Sequence, residues 1–205
     1  MRELIHALKY DRLRPIAPNL GEFLALAIAQ LAPEAPAEML VVPVPLHRSK
    51  YADRGFNQAR LLAAEAIACL RKKHAAWRLT LAPSTLMRLR GTDSQAGLTP
   101  RQRRLNVRGA FGVSDPVAVF GKHVLLIDDI LTTGATARAA ARALLQAGAE
   151  SVWVATLARA RRIGFSSEIS SVLSKDSSGS FRSIDDAVAV PLQHAIMNSQ
   201  NQPSI

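Results

Sequence analysis

The sequence predicts an α/β fold, a mostly parallel sheet flanked by helices, on three observations. Residues His123–Ile127 place Val, Leu, Leu and Ile in a row with no polar alternation, the pattern of a parallel strand covered on both faces. A helical stripe at Thr136–Ala147 and a further apolar strand at Ser151–Leu157 follow, and strand, helix and strand within about 35 residues make the βαβ unit of parallel sheets. A chain of 205 residues, 48% hydrophobic and 20% charged, is long and apolar enough to bury a core.

The other elements follow in order. Leu4, Ile5, Leu8 and the aliphatic part of Lys9 recur at helical spacing and predict a first helix ending before Pro15. Leu20, Phe23, Leu24, Ala27, Ile28 and Leu31 predict a second, with Asn19 as N-cap and Pro33 beyond its end. Met39–Val44, β-branched and flanked by prolines, reads as a strand, and the alanine- and leucine-rich Asn57–Leu70 as a helix. Leu79–Ala82, Thr85–Met87 and Val117–Phe120 are short strand candidates, the last meeting a turn at Gly121. In the helix at Thr136–Ala147, Ala137, Ala140, Ala141, Leu144 and Leu145 form one stripe, and Gly148 stands where a left-handed cap is favoured.

Charge and composition divide the chain at Arg162. Residues 1–162 hold 24 Lys+Arg and 12 Asp+Glu, a net of +12, whereas residues 163–205 carry a net of −2 and 11 serines. A domain over 1–162 and a mostly disordered or loosely attached Ser-rich tail over 163–205 are expected, with Ala187–Leu192 as a short strand or helix. The single cysteine excludes an internal disulfide framework and a Cys-built zinc site. The longest apolar stretch, Leu20–Ala32, is interrupted by Glu22 and Gln30 and is too short to span a bilayer. Arg2 ahead of an apolar patch loosely imitates a signal peptide, but Glu3, Asp11 and Glu22 interrupt it, so a cytoplasmic protein is expected.

The most informative segment runs Val124-Leu125-Leu126-Ile127-Asp128-Asp129-Ile130-Leu131-Thr132-Thr133-Gly134-Ala135-Thr136. An apolar strand meets two acids, and a Thr/Gly/Thr loop then opens a helix. Open α/β sheets bind ligands beyond the carboxyl ends of their strands. Carboxylates there can accept hydrogen bonds from vicinal sugar hydroxyls. Gly134 can take positive φ, so that successive N–H groups of the loop point at an anion, and the helix N-terminus adds a favourable dipole. One strand-loop-helix can thus hold a sugar by its diol and a phosphate by its loop. An isolated Asp-Asp would read as solvated loop acids with Thr132 as a cap; the whole succession favours the binding site. Neither a Walker loop nor Gly-x-Gly-x-x-Gly is present.

Two cationic stretches accompany it. Val42-Pro43-Val44-Pro45-Leu46 leads into His47-Arg48-Ser49-Lys50 and Arg54-Gly55-Phe56-Asn57-Gln58, a proline-stiffened turn suited to a polyphosphate. Between Arg88 and Phe111 lie Arg88, Arg90, Arg101, Arg103, Arg104 and Arg108 with one acid, Asp93, and with Gly91, Gly97 and Gly109 as hinges. Such a loop can close over a pyrophosphate. Each stretch on charge alone also suits a solvated surface, and the second a nucleic-acid patch.

Residues 124–136 closely resemble the ribose-phosphate-binding motif of the type I phosphoribosyltransferases. The wider set resembles the ComF family (ComFC- and GntX-like) of phosphoribosyltransferase-like proteins: Leu8-Lys9-Tyr10, Val42–Leu46, Arg54–Gln58, Ser94-Gln95 with Leu98, Arg104-Leu105-Asn106-Val107 with Ala110-Phe111, and Asp128–Thr136. It covers about residues 4 to 160. Two departures stand out: the family's N-terminal cysteine-rich zinc module has no counterpart, Cys69 reading as a small core residue, and the Ser-rich tail is atypical. Both ends are therefore expected to be truncated or altered.

The resemblance implies a type I phosphoribosyltransferase fold and binding of phosphoribosyl pyrophosphate with Mg²⁺. Asp128 and Asp129 would take the ribose hydroxyls and contact the metal directly or through water, and Thr132, Thr133, Gly134, Ala135 and Thr136 the 5′-phosphate. Arg48, Lys50 and Arg54 are the pyrophosphate candidates. Arg88 and Arg90, from the closing loop, join Asp128 and Asp129 as catalytic candidates. Transfer of phosphoribose to an unidentified nitrogenous acceptor is the leading expectation. The alternatives are a module sensing phosphoribosyl pyrophosphate or a nucleotide, and a competence or single-stranded-DNA-handling accessory. The oligomeric state is open, with a dimer as one option.

Overall fold

The computed structural model describes residues 1–10, 13–91, 99, 102, 109–159 and 188–191. Among them are seven strands: β1 (Glu38–Pro43), β2 (Arg78–Leu81), β3 (Leu86–Arg88), β4 (Phe111–Val113), β5 (His123–Leu131), β6 (Ser151–Arg159) and β7 (Val188–Pro191). The α-helices are α1 (Arg2–Tyr10), α2 (Ala17–Ala29), α3 (Arg48–Arg54), α4 (Gln58–Lys73), α5 (Pro116–Val119) and α6 (Ala135–Gln146). The predicted buried strand, β5, is the middle of a five-stranded sheet ordered β2-β1-β5-β6-β7. Its pairings with β1 and β6 are parallel, as is β1 with β2. β7 closes one edge antiparallel to β6, which resolves the open choice at Ala187–Leu192 in favour of a strand. β3 and β4 form a separate antiparallel pair.

The unalternating sequence of β5 has its reason in the two layers that cover it. Leu125 and Ile127 face Ile5, Leu8, Leu24 and Leu62 from α1, α2 and α4, whereas Val124 and Leu126 face Leu86, Phe111 and the Ala140/Ala141/Leu144 stripe of α6. All four β5 side chains have 0% exposure. Cys69, half-buried, packs against the first layer, as a small core residue would. Gly21 permits the close crossing of α2 and α4: a Cβ there would stand 2.3 Å from Glu65 Cβ. Gly21→Ala is therefore expected to lower the unfolding free energy by about 2 kcal/mol, the overpacking cost exceeding the gain in helix propensity. A denaturant melt reads this directly, and an unchanged midpoint would show that the crossing yields freely.

Four local expectations are corrected. Asn19 does not cap α2: a 3₁₀ turn over Arg14–Ile16 leads into a helix beginning at Ala17, with Pro18 in its first turn, where the missing N–H costs nothing. Val117–Phe120 is not a strand but the helical turn α5, because the Asp115 carboxylate accepts from the N–H groups of Val117 and Ala118 at 3.0 and 3.3 Å. That cap outweighs the local β propensity. The cationic turn after β1 is itself helical over α3, with the His47 side chain accepting from Ser49 N–H and Gly55 closing the end at φ 75°. Finally, β5 continues four residues past Ile127, so the paired acids lie within the strand. Gly148, at φ 91°, follows α6 in the expected left-handed conformation. Residues 163–187 and 192–205 lie outside the described residues.

Candidate functional site

Because β1, β5 and β6 run parallel, their carboxyl ends emerge on one side of the sheet. Two hydrogen bonds gather the flanking chain there. Val44 N–H donates to the Ile127 carbonyl at 2.8 Å, and Asn57 Nδ2 donates to the Val44 carbonyl at 3.0 Å. The Asn57 side chain also caps α4, its Oδ1 accepting from Arg60 N–H at 3.2 Å. The helical turn bearing the first cations and the start of α4 are thus fixed beside the end of β5.

Strand alternation sends the two acids to opposite layers. Asp129 follows Ile127 toward the α1/α4 side, where it is 5% exposed. Its Oδ2 takes both the Lys9 ammonium at 2.7 Å and the Gln58 Nε2 amide at 2.8 Å. Asp128, half-buried, follows Leu126 toward α6 and the β3–β4 pair. Burial and then the Asp129 charge push its carboxyl up to about 7, against the Asp129 N–H bond to Oδ1 at 2.9 Å and the charges of Lys9 and Arg88. Arg88 lies across from it, with its guanidinium 5.4 Å from the Phe111 ring centre. Burial lowers the Arg88 pKa, Asp128 raises it and Arg90 lowers it.

The raised Asp128 pKa has a consequence for stability. The folded carboxyl holds its proton up to about 7, whereas the ordinary value is 3.8. The folded state therefore binds more protons in this window, and stability falls as pH rises from about 4 to about 7. Asp128→Asn removes the buried charge, and its advantage over the wild type is expected to grow between about pH 5 and pH 8, to on the order of 2 kcal/mol. Paired thermal melts at the two pH values test this; a constant gap would show that Asp128 stays ionised throughout.

The phosphate-loop expectation meets a defined geometry. Gly134 sits at φ 68° immediately before α6. Ala135 and Thr136, expected in the loop, form the first turn of the helix, and Ala135 N–H donates to Thr133 Oγ1 at 3.4 Å. Thr132 is exposed and Thr133 half-buried. Arg138, which the sequence reading passed over, donates from Nη2 to the Thr133 carbonyl and so braces the loop. Its place one turn into α6 was the available signal, since a cation there lies over the turn before it.

The candidate pyrophosphate cations fall on α3, with Arg48 and Lys50 exposed and Arg54 half-buried. The second cationic stretch reaches the same end of the molecule at its start: a Cβ on Gly91 would stand 3.3 Å from His47 Cε1. Arg88, on β3, interacts electrostatically with Asp128, and Arg90 is exposed two residues on. Ser94, Gln95, Leu98, Arg101, Arg103, Arg104 and Arg108 lie outside the described residues. Among the described residues no group of three or more metal-ligating side chains exists. A magnesium ion carried by substrate phosphates needs only one or two carboxylates. Asp128 and Asp129 are the carboxylates that would serve, Asp129 with its Oδ2 already engaged by Lys9. No helix among the described residues is long and apolar enough to cross a membrane.

A parallel sheet with acids at a strand end and a glycine-turned loop before a helix defines a domain of the phosphoribosyltransferase class, and residues 86–177 match the phosphoribosyl transferase domain family. The chain is 34% identical over 158 residues to the DNA utilization protein YhgH of Escherichia coli K12, covering 76% of this chain and 66% of that protein. It is 30% identical over 160 residues to competence protein F of Haemophilus influenzae, covering 77% and 67%. It is 36% identical over 121 residues to competence protein ComFC of Bacillus subtilis, covering 58% and 44%. The chain belongs to the ComF family of phosphoribosyltransferase-domain proteins. Among solved structures, a glutamine phosphoribosylpyrophosphate amidotransferase from B. subtilis, complexed with ADP and GMP, is 24% identical at a TM-score of 0.40, over 71% of this chain and 26% of that one; the likeness is too remote to bear on the site.

Proposed function

We propose that the chain binds Mg-phosphoribosyl pyrophosphate at the carboxyl end of β5 and transfers its phosphoribosyl group to a nitrogenous acceptor. The observation that carries this reading is the succession of Asp128, Asp129, the left-handed Gly134 and the N-terminus of α6 within nine residues of chain, Asp128 to Thr136. The loop and helix terminus suit the 5′-phosphate, and the carboxylates suit the ribose hydroxyls. Breaking the bond from the anomeric carbon to pyrophosphate builds positive charge on the sugar and negative charge on the leaving group. Arg88 and Arg90, with Arg48, Lys50 and Arg54, are the cations this reading assigns to the negative charge. A magnesium ion, when bound, would neutralise part of it and leave the ribose and phosphates oriented for attack.

Calorimetry with Mg-phosphoribosyl pyrophosphate tests the site. Wild-type binding that disappears in Asp128→Asn/Asp129→Asn supports it, and equal affinities reject it. Pyrophosphate release across a panel of bases and amines separates transfer from sensing. The names of the relatives, DNA utilization protein and competence protein, favour a second reading in which the same domain serves DNA handling. A salt titration with single-stranded DNA addresses that reading, and no binding at low salt would remove it. A cytoplasmic location accompanies both readings.

A further inference from the structure

We propose that Lys9 and Gln58 are positioning residues that clamp Asp129 by one oxygen and present the other to a sugar hydroxyl. The inference rests on the sugar-phosphate reading of the site and adds to it two residues from elements distant in the chain.

Both donors fall on the same atom. Lys9 Nζ at 2.7 Å and Gln58 Nε2 at 2.8 Å converge on Asp129 Oδ2, whereas Oδ1 takes no hydrogen bond from the described residues. A carboxylate only accepts, so the Gln58 amide must turn its nitrogen toward Asp129. That orientation leaves Gln58 Oε1 buried with no hydrogen-bond partner. A buried acceptor left without a partner is costly and calls for an explanation. Holding the Asp129 carboxylate in one rotamer supplies it. The Asp129 side chain is 7% exposed and that of Lys9 17%, so the ion pair is shielded, and neither partner tolerates loss of the other. Lys9 arrives on α1 and Gln58 opens α4. The carboxylate is thus held from two sides, independently of the loop that follows β5.

The test compares binding of ribose 5-phosphate with 2-deoxyribose 5-phosphate in the wild type, Lys9→Met, Lys9→Arg and Gln58→Leu. The wild type is expected to prefer the ribose compound. Lys9→Met and Gln58→Leu should each cut that preference by about tenfold, the factor carried by one hydrogen bond to a charged group, while affinity for the deoxy compound stays within about twofold. Lys9→Arg should restore part of the preference. Should Lys9→Met fail to fold, Gln58→Leu, which keeps the ion pair, decides. Folded variants that keep the full preference overturn the clamp and leave the sugar-phosphate site standing. Equal weakening for both sugars assigns Lys9 and Gln58 a purely structural part and also overturns it. A wild type that binds both sugars equally removes the 2-hydroxyl contact and with it the clamp, and a wild type that binds neither overturns the site reading as well.

Discussion

Asp128→Asn/Asp129→Asn is expected to weaken Mg-phosphoribosyl pyrophosphate binding by roughly 100-fold or more. A hydrogen bond to a charged group carries about 1.5 kcal/mol at the least, and two such losses multiply. The two substitutions act in different surroundings. At Asp128 an amide removes a carboxyl that burial and Asp129 already hold up to about 7, so the single variant should fold at least as stably as the wild type near neutral pH while losing affinity. That combination, higher stability with weaker binding, is the signature of a group kept for function. At Asp129 the amide leaves the Lys9 ammonium 2.7 Å away without its counter-charge, and a cost of about 3 kcal/mol in stability is expected. Calorimetry together with a thermal melt on each single variant separates the effects. Undiminished affinity in the folded Asp128→Asn protein would remove Asp128 from the site.

Gly134→Val is expected to reduce affinity by about 30-fold, by a different route. Its φ of 68° lies in the left-handed region, where a β-branched residue is a genuine outlier. A Cβ there would also stand 3.0 Å from Arg138 Nη1 and 3.6 Å from Leu131 Cδ1. The loop would have to rearrange, releasing the Thr133 carbonyl from Arg138 and turning its N–H groups away from the anion. The loss should be of similar size for inorganic phosphate and for phosphoribosyl pyrophosphate, because only the phosphate subsite is damaged. Gly134→Ala, with no branch at Cβ, should lose less. A valine variant that binds phosphate as the wild type does would place the anion elsewhere.

The same residues show how far the sequence could be read. The unalternating strand, the alanine stripe of α6 and the glycine before it rest on periodicity and local backbone preference, which short windows express directly. The errors fell where a local cap or turn overrode propensity, at Asp115 before α5 and at the 3₁₀ turn before α2. The adjacent acids were legible as a pair near a strand end, but the different surroundings of the two were not. Continuation of β5 through Leu131 sends their carboxylates to opposite layers, and that depends on pairing with β6 as far as Arg159. Arg138 left a faint local trace, whereas Gln58 left none beyond its place in a motif.

By itself the sequence determined the α/β class, the order of the main elements and the strand-loop-helix at residues 124–136, because hydrophobic period, glycine placement and helix-terminus chemistry act over a few neighbouring residues. Only the tertiary structure decided what surrounds each acid. Lys9 lies 120 positions before Asp129 and Gln58 lies 71. Arg88 meets Asp128 through a separate pair of strands. Charge pairing and desolvation depend on distance in space rather than along the chain, so one carboxylate became the pinned partner of a lysine and the other a carboxyl titrating near neutrality.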